Sequence, residues 1–184
     1  MQNKSQDPRL PYLATQVSTA YEGLSKLPVA VLLDNVRSMY NVGSFFRTMD
    51  AAACEKLYLC GITARPPKRA IAKTALGSEE TIPWEHHGDA VALAHDLRAR
   101  DIELAAIETT PHAVDLFDWQ PHFPVCLLFG HEVDGLNPKL LESCDTHVRI
   151  PMLGRKHSLN VATAGGIVIY ELLRKYRRLH SPVK

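Results

Sequence analysis

Long apolar runs and a strong excess of one charge are both missing from this 184-residue sequence. No apolar run approaches the roughly 18 residues that a membrane-spanning helix needs. Residues 1–9 are polar, unlike the apolar segment of a signal peptide. The formal net charge is only +1, so bulk charge gives no support to a nucleic-acid partner. We therefore expect a cytoplasmic protein with no membrane partner, and any RNA-binding surface must come from local clusters of charge.

Paired cysteines and several common ligand-binding motifs are missing as well. The four cysteines show no C-x-x-C spacing, so neither zinc nor any other metal site is predicted. No G-x-G-x-x-G, G-x-x-x-x-G-K-S/T or G-x-S-x-G run occurs, which disfavours a dinucleotide fold, a P-loop and a hydrolase elbow. His86 and His87 are adjacent and precede Gly88, so we assign them to a loop rather than to a metal site.

Short apolar runs alternate with helical patterns along most of the chain. Strands are predicted at residues 29–33, 56–60, 102–107, 125–129 and 147–150. Helices are predicted at residues 42–53, 69–76, 90–100, 138–143 and 159–179, with Asn137 and Ser158 as the N-caps of the last two. This alternation predicts an α/β fold with a mostly parallel sheet and helices on both faces. A further helical pattern at residues 9–25 makes residues 1–27 an N-terminal helical extension and residues 28–184 the main domain.

Three polar loops follow predicted strands, at the edge where such sheets bind ligands. The first leads into a helix, with Asn41 at its predicted start and Arg47 about one turn further in, a combination that can bind an anion. The second, residues 130–136, carries two glycines and two acidic residues. The third, residues 151–157, leads into a helix with glycines near its start, which allow another segment to approach closely. Each loop alone is equally consistent with ordinary capping, turns or tight packing.

Taken together and in this order, the loops resemble the three motifs of the SpoU/TrmH family in the SPOUT methyltransferase superfamily. The resemblance covers about residues 29–173, and residues 63–80 also resemble one bacterial branch of the family. The matching residues are Asn41 and Arg47 in the first motif, Gly130 and Glu132 in the second, and Ser158, Leu159 and Asn160 in the third. The sequence departs from the family at positions 52 and 53, where two alanines replace a usual phenylalanine–glycine pair.

The resemblance implies a SPOUT fold, whose C-terminal part makes a deep trefoil knot, and S-adenosyl-L-methionine as the cofactor bound in that knot. The implied cofactor-binding residues, several acting through their backbone, are Glu108, Thr109, Gly130, Ile150 and Leu159. The implied catalytic residues are Arg47, Asn41, Glu132, Ser158 and Asn160. Arg47 would act at the reacting hydroxyl, either as the proton acceptor or, because an arginine stays protonated, as a phosphate or ribose clamp.

The activity that the resemblance implies is 2′-O-ribose methylation of a structured RNA, with transfer RNA preferred over ribosomal RNA because no additional domain is recognised. Two alternatives remain open: a base-methylating SPOUT enzyme and a non-catalytic RNA-binding module. Basic clusters at residues 65–73, 155–156 and 174–178 would then contact phosphates. A homodimer is expected as well, because the last helix is apolar on more than one face.

Overall fold

A seven-stranded parallel sheet forms the centre of the protein in a computed structural model, which describes residues 26–180. The strands are β1 (Leu27–Asp34), β2 (Cys54–Cys60), β3 (Trp84–His87), β4 (Glu103–Ile107), β5 (Val114–Asp115), β6 (Val125–Phe129) and β7 (Thr146–Arg149). The helices are α1 (Met39–Ala51), α2 (Arg69–Ala75), α3 (Ser78–Thr81), α4 (Ala90–Ala99), α5 (Pro138–Glu142) and α6 (Val161–His180). The strand order is β3-β2-β1-β6-β4-β7-β5, and every pairing between neighbours is parallel.

Helices cover both faces of the sheet, as the apolar runs predict. Successive side chains of a strand point to opposite faces. Val29, Val31 and Leu33 of β1 pack in one core with α1 and α6, while Ala30 and Leu32 pack in the other with α4 and α5. Burial on both faces explains why the central strands are continuously apolar rather than alternating.

The carboxyl ends of the central strands meet at one edge of the sheet. Leu33 of β1 pairs with Phe129 of β6, and Ile107 of β4 pairs with Val148 of β7. The loops that follow these four strands therefore lie side by side. This edge brings all three motif loops together.

Three short elements are not predicted by the sequence pattern. β3 contains His86 and His87, whose assignment to a loop is therefore wrong: they pair with Leu59 and Cys60 at an edge of the sheet. This strand is only four residues long, polar and part-exposed, so no apolar run indicates it. β5, with two residues, and α3, with four, are likewise too short to produce a periodic signal.

Two helix starts differ from the prediction. α1 begins at Met39 rather than at residue 42, and Ser38 is its N-cap, accepting from the backbone N–H of Asn41 at 3.3 Å. At α6 the cap is Asn160 and not Ser158. Asn160 Oδ1 accepts from the backbone N–H groups of the second and third helical residues at 3.0 and 3.2 Å, the geometry of an N-cap. Asn137 is confirmed as the cap of α5.

Close packing of α6 explains one of its two adjacent glycines. A Cβ on Gly165 would lie 2.3 Å from Cε1 of Phe45 in α1, so the ring of Phe45 occupies the place of a side chain. Phe45 in turn packs on Phe129 of β6 with ring centroids 5.1 Å apart. Gly166 faces open space, with no atom within 4 Å of the position that a Cβ would take. Tight packing therefore accounts for Gly165 and leaves Gly166 unexplained.

A buried lysine fastens α6 to the segment around β5. Lys175 Nζ donates to the backbone oxygens of Leu116 at 2.8 Å, of Phe117 at 3.3 Å and of Trp119. Burial lowers the pKa of Lys175, and the nearby carboxylate of Glu171 opposes that shift. One ammonium group thus satisfies three backbone carbonyl oxygens.

The deep knot stays a prediction, although the topology is unusual where it is expected. β7 lies between β4 and β5, so the connection of residues 108–113 passes from one side of β7 to the other. Residues 1–25, which make up most of the predicted N-terminal extension, lie outside the described residues. Within the described chain no helix is long and apolar enough to cross a lipid bilayer.

Candidate functional site

A chain of three hydrogen-bonded side chains joins the three motif loops. Glu132 Oε2 accepts from the backbone N–H of Arg37, and Oε1 accepts from the backbone N–H of Ser38 and from Nδ2 of Asn41, each at 3.1 Å. Asn160 Nδ2 donates to Oδ1 of Asn41 at 3.1 Å. Because Asn160 also caps α6, this chain ties the loop after β1, the loop after β6 and the start of α6 to one another.

The carboxylate of Glu132 is held in its ionised form by these donors. Partial burial raises the pKa of Glu132. The backbone N–H groups of Arg37, Ser38 and Glu132 itself, with the side chain of Asn41, outweigh burial and bring the pKa below its usual value of 4.5. A carboxylate whose oxygens already accept several hydrogen bonds is a poor proton acceptor. Glu132 is therefore suited to holding loops in place rather than to removing a proton.

A cavity of about 340 Å³ opens beside this chain at the carboxyl ends of β4, β6 and β7. Small-molecule sites usually have volumes of about 300 to 1,000 Å³, so the cavity has the size for one ligand. All five residues predicted to bind the cofactor line it: Glu108, Thr109, Gly130, Ile150 and Leu159. Three of the predicted catalytic residues line it as well: Glu132, Ser158 and Asn160.

Two glycines and one carboxylate shape a wall of the cavity. A Cβ on Gly130 would lie 2.2 Å from the carbonyl carbon of Gly135 and 2.3 Å from the backbone nitrogen of Leu136. The turn between them is closed by two hydrogen bonds of 3.0 Å between His131 and Gly135. Gly135 has a φ of +72°, and its missing Cβ would lie 2.6 Å from Oε2 of Glu108. Both glycines thus let neighbouring parts of this wall approach more closely than any side chain would allow.

Arg47 does not line the cavity. Its exposed side chain is not among the lining groups, and it forms no hydrogen bond or ion pair within residues 26–180. Arg47 is the ninth residue of α1, about 12 Å along the axis from Met39. The prediction that it lies about one turn inside the helix is wrong, because α1 begins three residues earlier than expected. Its action at a reacting hydroxyl stays a prediction.

The structure adds residues that the sequence did not single out. Met152 and His157 line the cavity from the third motif loop. Ser38 matters through its backbone, and its position before a helix is a recognisable N-cap signal. Asp34, at the end of β1, is 4% exposed and accepts from Nδ2 of its neighbour Asn35 at 2.8 Å. Burial raises the pKa of Asp34. A hydrogen bond from the backbone of Asn137, the cap of α5, opposes this shift but does not cancel it.

The three basic clusters differ in exposure. In the cluster at residues 174–178, Arg174 and Arg178 are exposed, and contact of this cluster with phosphates stays a prediction. Lys175 is buried, and Arg174 forms two hydrogen bonds with the carboxylate of Glu171, at 2.5 and 2.7 Å. The clusters at residues 65–73 and 155–156 are exposed. No group of three or more His, Cys, Asp or Glu side chains in the described chain could hold a metal ion.

The chain matches a protein family over most of its length. The model of the SpoU rRNA Methylase family matches residues 28–170. The 23S rRNA (guanosine-2′-O-)-methyltransferase RlmB of Ralstonia nicotianae is 30% identical over 164 residues, which are 89% of this chain and 65% of that protein. The chain therefore spans less than two thirds of the length of this relative.

Two solved structures share the fold. The TrmH/SpoU tRNA modifying enzyme of A. aeolicus has a TM-score of 0.76 and 27% identity, covering 84% of this chain and 78% of that chain. The SpoU methyltransferase AviRb of Streptomyces viridochromogenes, in complex with its cofactor AdoMet, has a TM-score of 0.74 and 29% identity, covering 83% and 61%. With three motif loops gathered around one cavity and a family match from residue 28 to residue 170, the chain belongs to the SpoU rRNA Methylase family.

Proposed function

We propose that the protein is an S-adenosyl-L-methionine-dependent methyltransferase that acts on the ribose 2′-hydroxyl of a structured RNA. The observation that carries this proposal is the hydrogen-bonded set of Glu132, Asn41 and Asn160, which holds three loops together beside a cavity of ligand size. RlmB is named a guanosine 2′-O-methyltransferase, and AviRb has AdoMet bound, which supports both the reaction and the cofactor.

The residues of the cavity fit such a cofactor. Gly130 and Gly135 expose backbone where any side chain would project into neighbouring atoms, and Ile150 and Leu159 add apolar surface. Glu108 supplies the one carboxylate of the β4 end that lines the cavity. When bound, S-adenosyl-L-methionine supplies an electrophilic methyl group. The chain supplies the shape that holds this group against an RNA oxygen, and alignment of this kind contributes much of the acceleration in displacement reactions.

Positioning is the role we assign to Glu132, Asn41 and Asn160. Their hydrogen bonds are made to one another and to backbone N–H groups, so they set the relative places of the loops rather than touch the methyl group. Ser158 lines the cavity two residues before the α6 cap, and we propose that it contacts the substrate. Arg47 is proposed to bind an RNA phosphate or the target ribose, because its charge is free of acidic partners within residues 26–180.

Transfer RNA is the proposed substrate, ahead of ribosomal RNA. Some similar proteins are named for 23S rRNA and others for tRNA, so their names alone do not decide between the two. A structured RNA is recognised through its backbone and shape, which suits the exposed basic clusters at residues 65–73 and 155–156. Since these substrates are cellular RNAs, a cytoplasmic location is part of the proposal.

A homodimer is also proposed, from the outer face of α6. Val168, Ile169 and Leu172 face the core, whereas Ile167 is 38% and Tyr170 49% exposed. The side of α6 around Gly166 is open, with no atom within 4 Å of the position that a Cβ would take. A second copy that packs on this face would cover the exposed side chains. Sedimentation equilibrium should give a dimeric mass that Ile167→Glu shifts to a monomer, and a monomeric wild type at micromolar concentration would contradict the proposal.

The proposed activity is tested with purified protein, methyl-labelled S-adenosyl-L-methionine and either bulk transfer RNA or ribosomal RNA. We expect label on ribose 2′-oxygens, found by mass spectrometry of the product nucleosides, without any added divalent metal. Mapping 2′-O-methyl sites in cells with and without the gene then identifies the nucleotide. A methylated base in the product would establish the base-methylating alternative, and RNA binding without transfer would establish a non-catalytic module.

A further inference from the structure

The segment that contains α2 is strongly basic. Residues 61–77 carry four basic side chains and no acidic one, in a chain whose net charge is only +1. The four are exposed: Arg65, Lys68, Arg69 and Lys73. Arg69 and Lys73 are four residues apart in α2, so they lie on one face of the helix. The segment therefore presents a row of positive charge to solvent.

These four charges are not neutralised by the protein. Several cations elsewhere are paired with acidic neighbours: Lys56 with Glu85, Arg98 with Asp145, and Arg174 with Glu171. None of the four basic residues of the α2 segment forms an ion pair within the described part of the chain. A dense group of unpaired charges attracts a polyanion.

The α2 segment is held directly against the first motif loop. A Cβ on Gly43 of α1 would lie 2.1 Å from Oγ1 of Thr74 and 2.3 Å from the backbone oxygen of Ile71, so α1 and α2 touch at this glycine. Thr74 Oγ1 also donates to the backbone oxygen of Tyr40 at 3.0 Å. Tyr40 immediately precedes Asn41, the middle member of the chain that joins the motif loops. The positive row thus begins next to the candidate site.

An exposed aromatic ring lies at this junction. Tyr40 is 51% exposed, although its backbone oxygen is fixed by the hydroxyls of Ser44 at 2.9 Å and Thr74 at 3.0 Å. Leu76, which immediately follows α2, is 66% exposed. Unstacked bases of RNA pack on aromatic side chains of this kind, while neighbouring arginines and lysines bind the phosphates.

We propose that Tyr40 and the basic face of α2 form the docking surface for the RNA strand next to the target nucleotide. Tyr40 stacks on a base that flanks the target, and the row formed by Arg69 and Lys73 binds successive phosphates of the same strand. This inference rests on the proposed function and deepens it, because it says where the substrate strand leaves the active site and which residues follow it.

The test measures binding of fluorescently labelled bulk transfer RNA to the full chain at several salt concentrations. The double variant Arg69→Ala/Lys73→Ala should flatten the dependence of log affinity on log salt by about one to two units, since each phosphate contact contributes about 0.9. The matched control is Arg98→Ala/Arg100→Ala. It removes two charges where α4 ends, shortly before the amino end of β4. The control should keep the slope of the wild type.

Tyr40 has its own pair of variants. Tyr40→Ala should weaken binding about tenfold at every salt concentration without changing the slope, and Tyr40→Phe should bind like the wild type because it keeps the aromatic face. Titration with S-adenosyl-L-homocysteine should be the same for all variants. An unchanged slope in the α2 variant, or equal RNA affinity of the Ala and Phe variants of Tyr40, overturns the docking surface.

The two levels of the proposal fail separately. If the wild type methylates RNA and the α2 and Tyr40 variants do so equally well, the docking surface is wrong and the proposed function stands. If the wild type transfers no methyl group to RNA while the α2 variant loses RNA affinity and the control does not, the proposed function is wrong, and the basic face of α2 is an RNA-binding surface without a target nucleotide.

Discussion

Gly130→Ala is expected to weaken cofactor binding while the fold survives. The added Cβ would lie 2.2 Å from the carbonyl carbon of Gly135, 2.3 Å from its oxygen and 2.3 Å from the backbone nitrogen of Leu136. Carbon atoms in contact are normally about 3.5 to 4.0 Å apart, so the facing backbone has to move by roughly 1 Å or more. No rotamer change can relieve the clash, because all three neighbours are main-chain atoms.

The cost follows from what this movement disturbs. Forcing extra atoms into packed structure costs about 1 to 3 kcal/mol. The strain falls on the turn at residues 130–136, which lines the cavity and carries Glu132; of these residues only Leu136 belongs to a core cluster. If the bound geometry bears that cost, the dissociation constant rises about 5- to 150-fold, since 1.4 kcal/mol corresponds to a factor of ten.

Calorimetric titration with S-adenosyl-L-homocysteine measures the effect, and thermal unfolding checks the fold. Gly154→Ala is the matched control, because Gly154 lies in the third motif loop with nothing within 4 Å of a Cβ. The control should bind the ligand like the wild type. Equal affinity of the two alanine variants would refute the reasoning, and so would global unfolding of Gly130→Ala, since the strain is assigned to one surface turn.

Three further predictions follow from other contacts. Arg47→Ala should lower methyl transfer about 100-fold, the effect of losing one charge-assisted contact in the transition state, and leave cofactor affinity unchanged; Arg47→Lys should not restore the rate fully, because lysine lacks the planar fork. The pKa of Glu132 is lowered in the folded protein, so the stability that its ionised form contributes is present above the usual value of 4.5 and is lost as pH falls below it. In urea unfolding at pH 7, the wild type should have a higher free energy of unfolding than Glu132→Gln, and this difference should shrink below that pH. A difference that does not depend on pH counts against the role of the carboxylate. Lys175→Met should lower the free energy of unfolding by about 2 kcal/mol or more, because buried carbonyl oxygens lose their donor. Its control, Arg178→Ala at an exposed position, should change the free energy of unfolding by less than about 0.5 kcal/mol. Equal stability of these two variants contradicts the structural role of Lys175.

Prediction of the fold from sequence succeeded where burial produces a pattern. The run at residues 125–129 is apolar because β6 is covered on both faces, and its bounds match the prediction. Helix starts were less accurate: Ser38 caps α1 three residues ahead of the predicted start, since a cap depends on one hydrogen bond and not on periodicity. The same error misplaced Arg47 relative to the helix N-terminus.

For the site, the sequence identifies the residue set but not the contacts among its members. All five predicted cofactor-binding residues line one cavity, and their roles stay predictions. The sequence does not reveal that Asn41 bonds both Glu132 and Asn160, because these residues are 91 and 119 positions away from it. The sequence also does not show that the basic residues of the α2 segment are exposed whereas Lys175 is buried, because both belong to clusters of basic residues.

The sequence by itself determined that this is a parallel α/β chain with three polar loops after its strands, because local apolar runs and turn residues specify elements one at a time. Only the tertiary structure decided the strand order, the burial of Lys175, the place of His86 and His87 in an edge strand, and the contact of Gly165 with Phe45. Each of these depends on which distant segment becomes a neighbour. That choice is made by packing the whole core, which no window of the sequence contains.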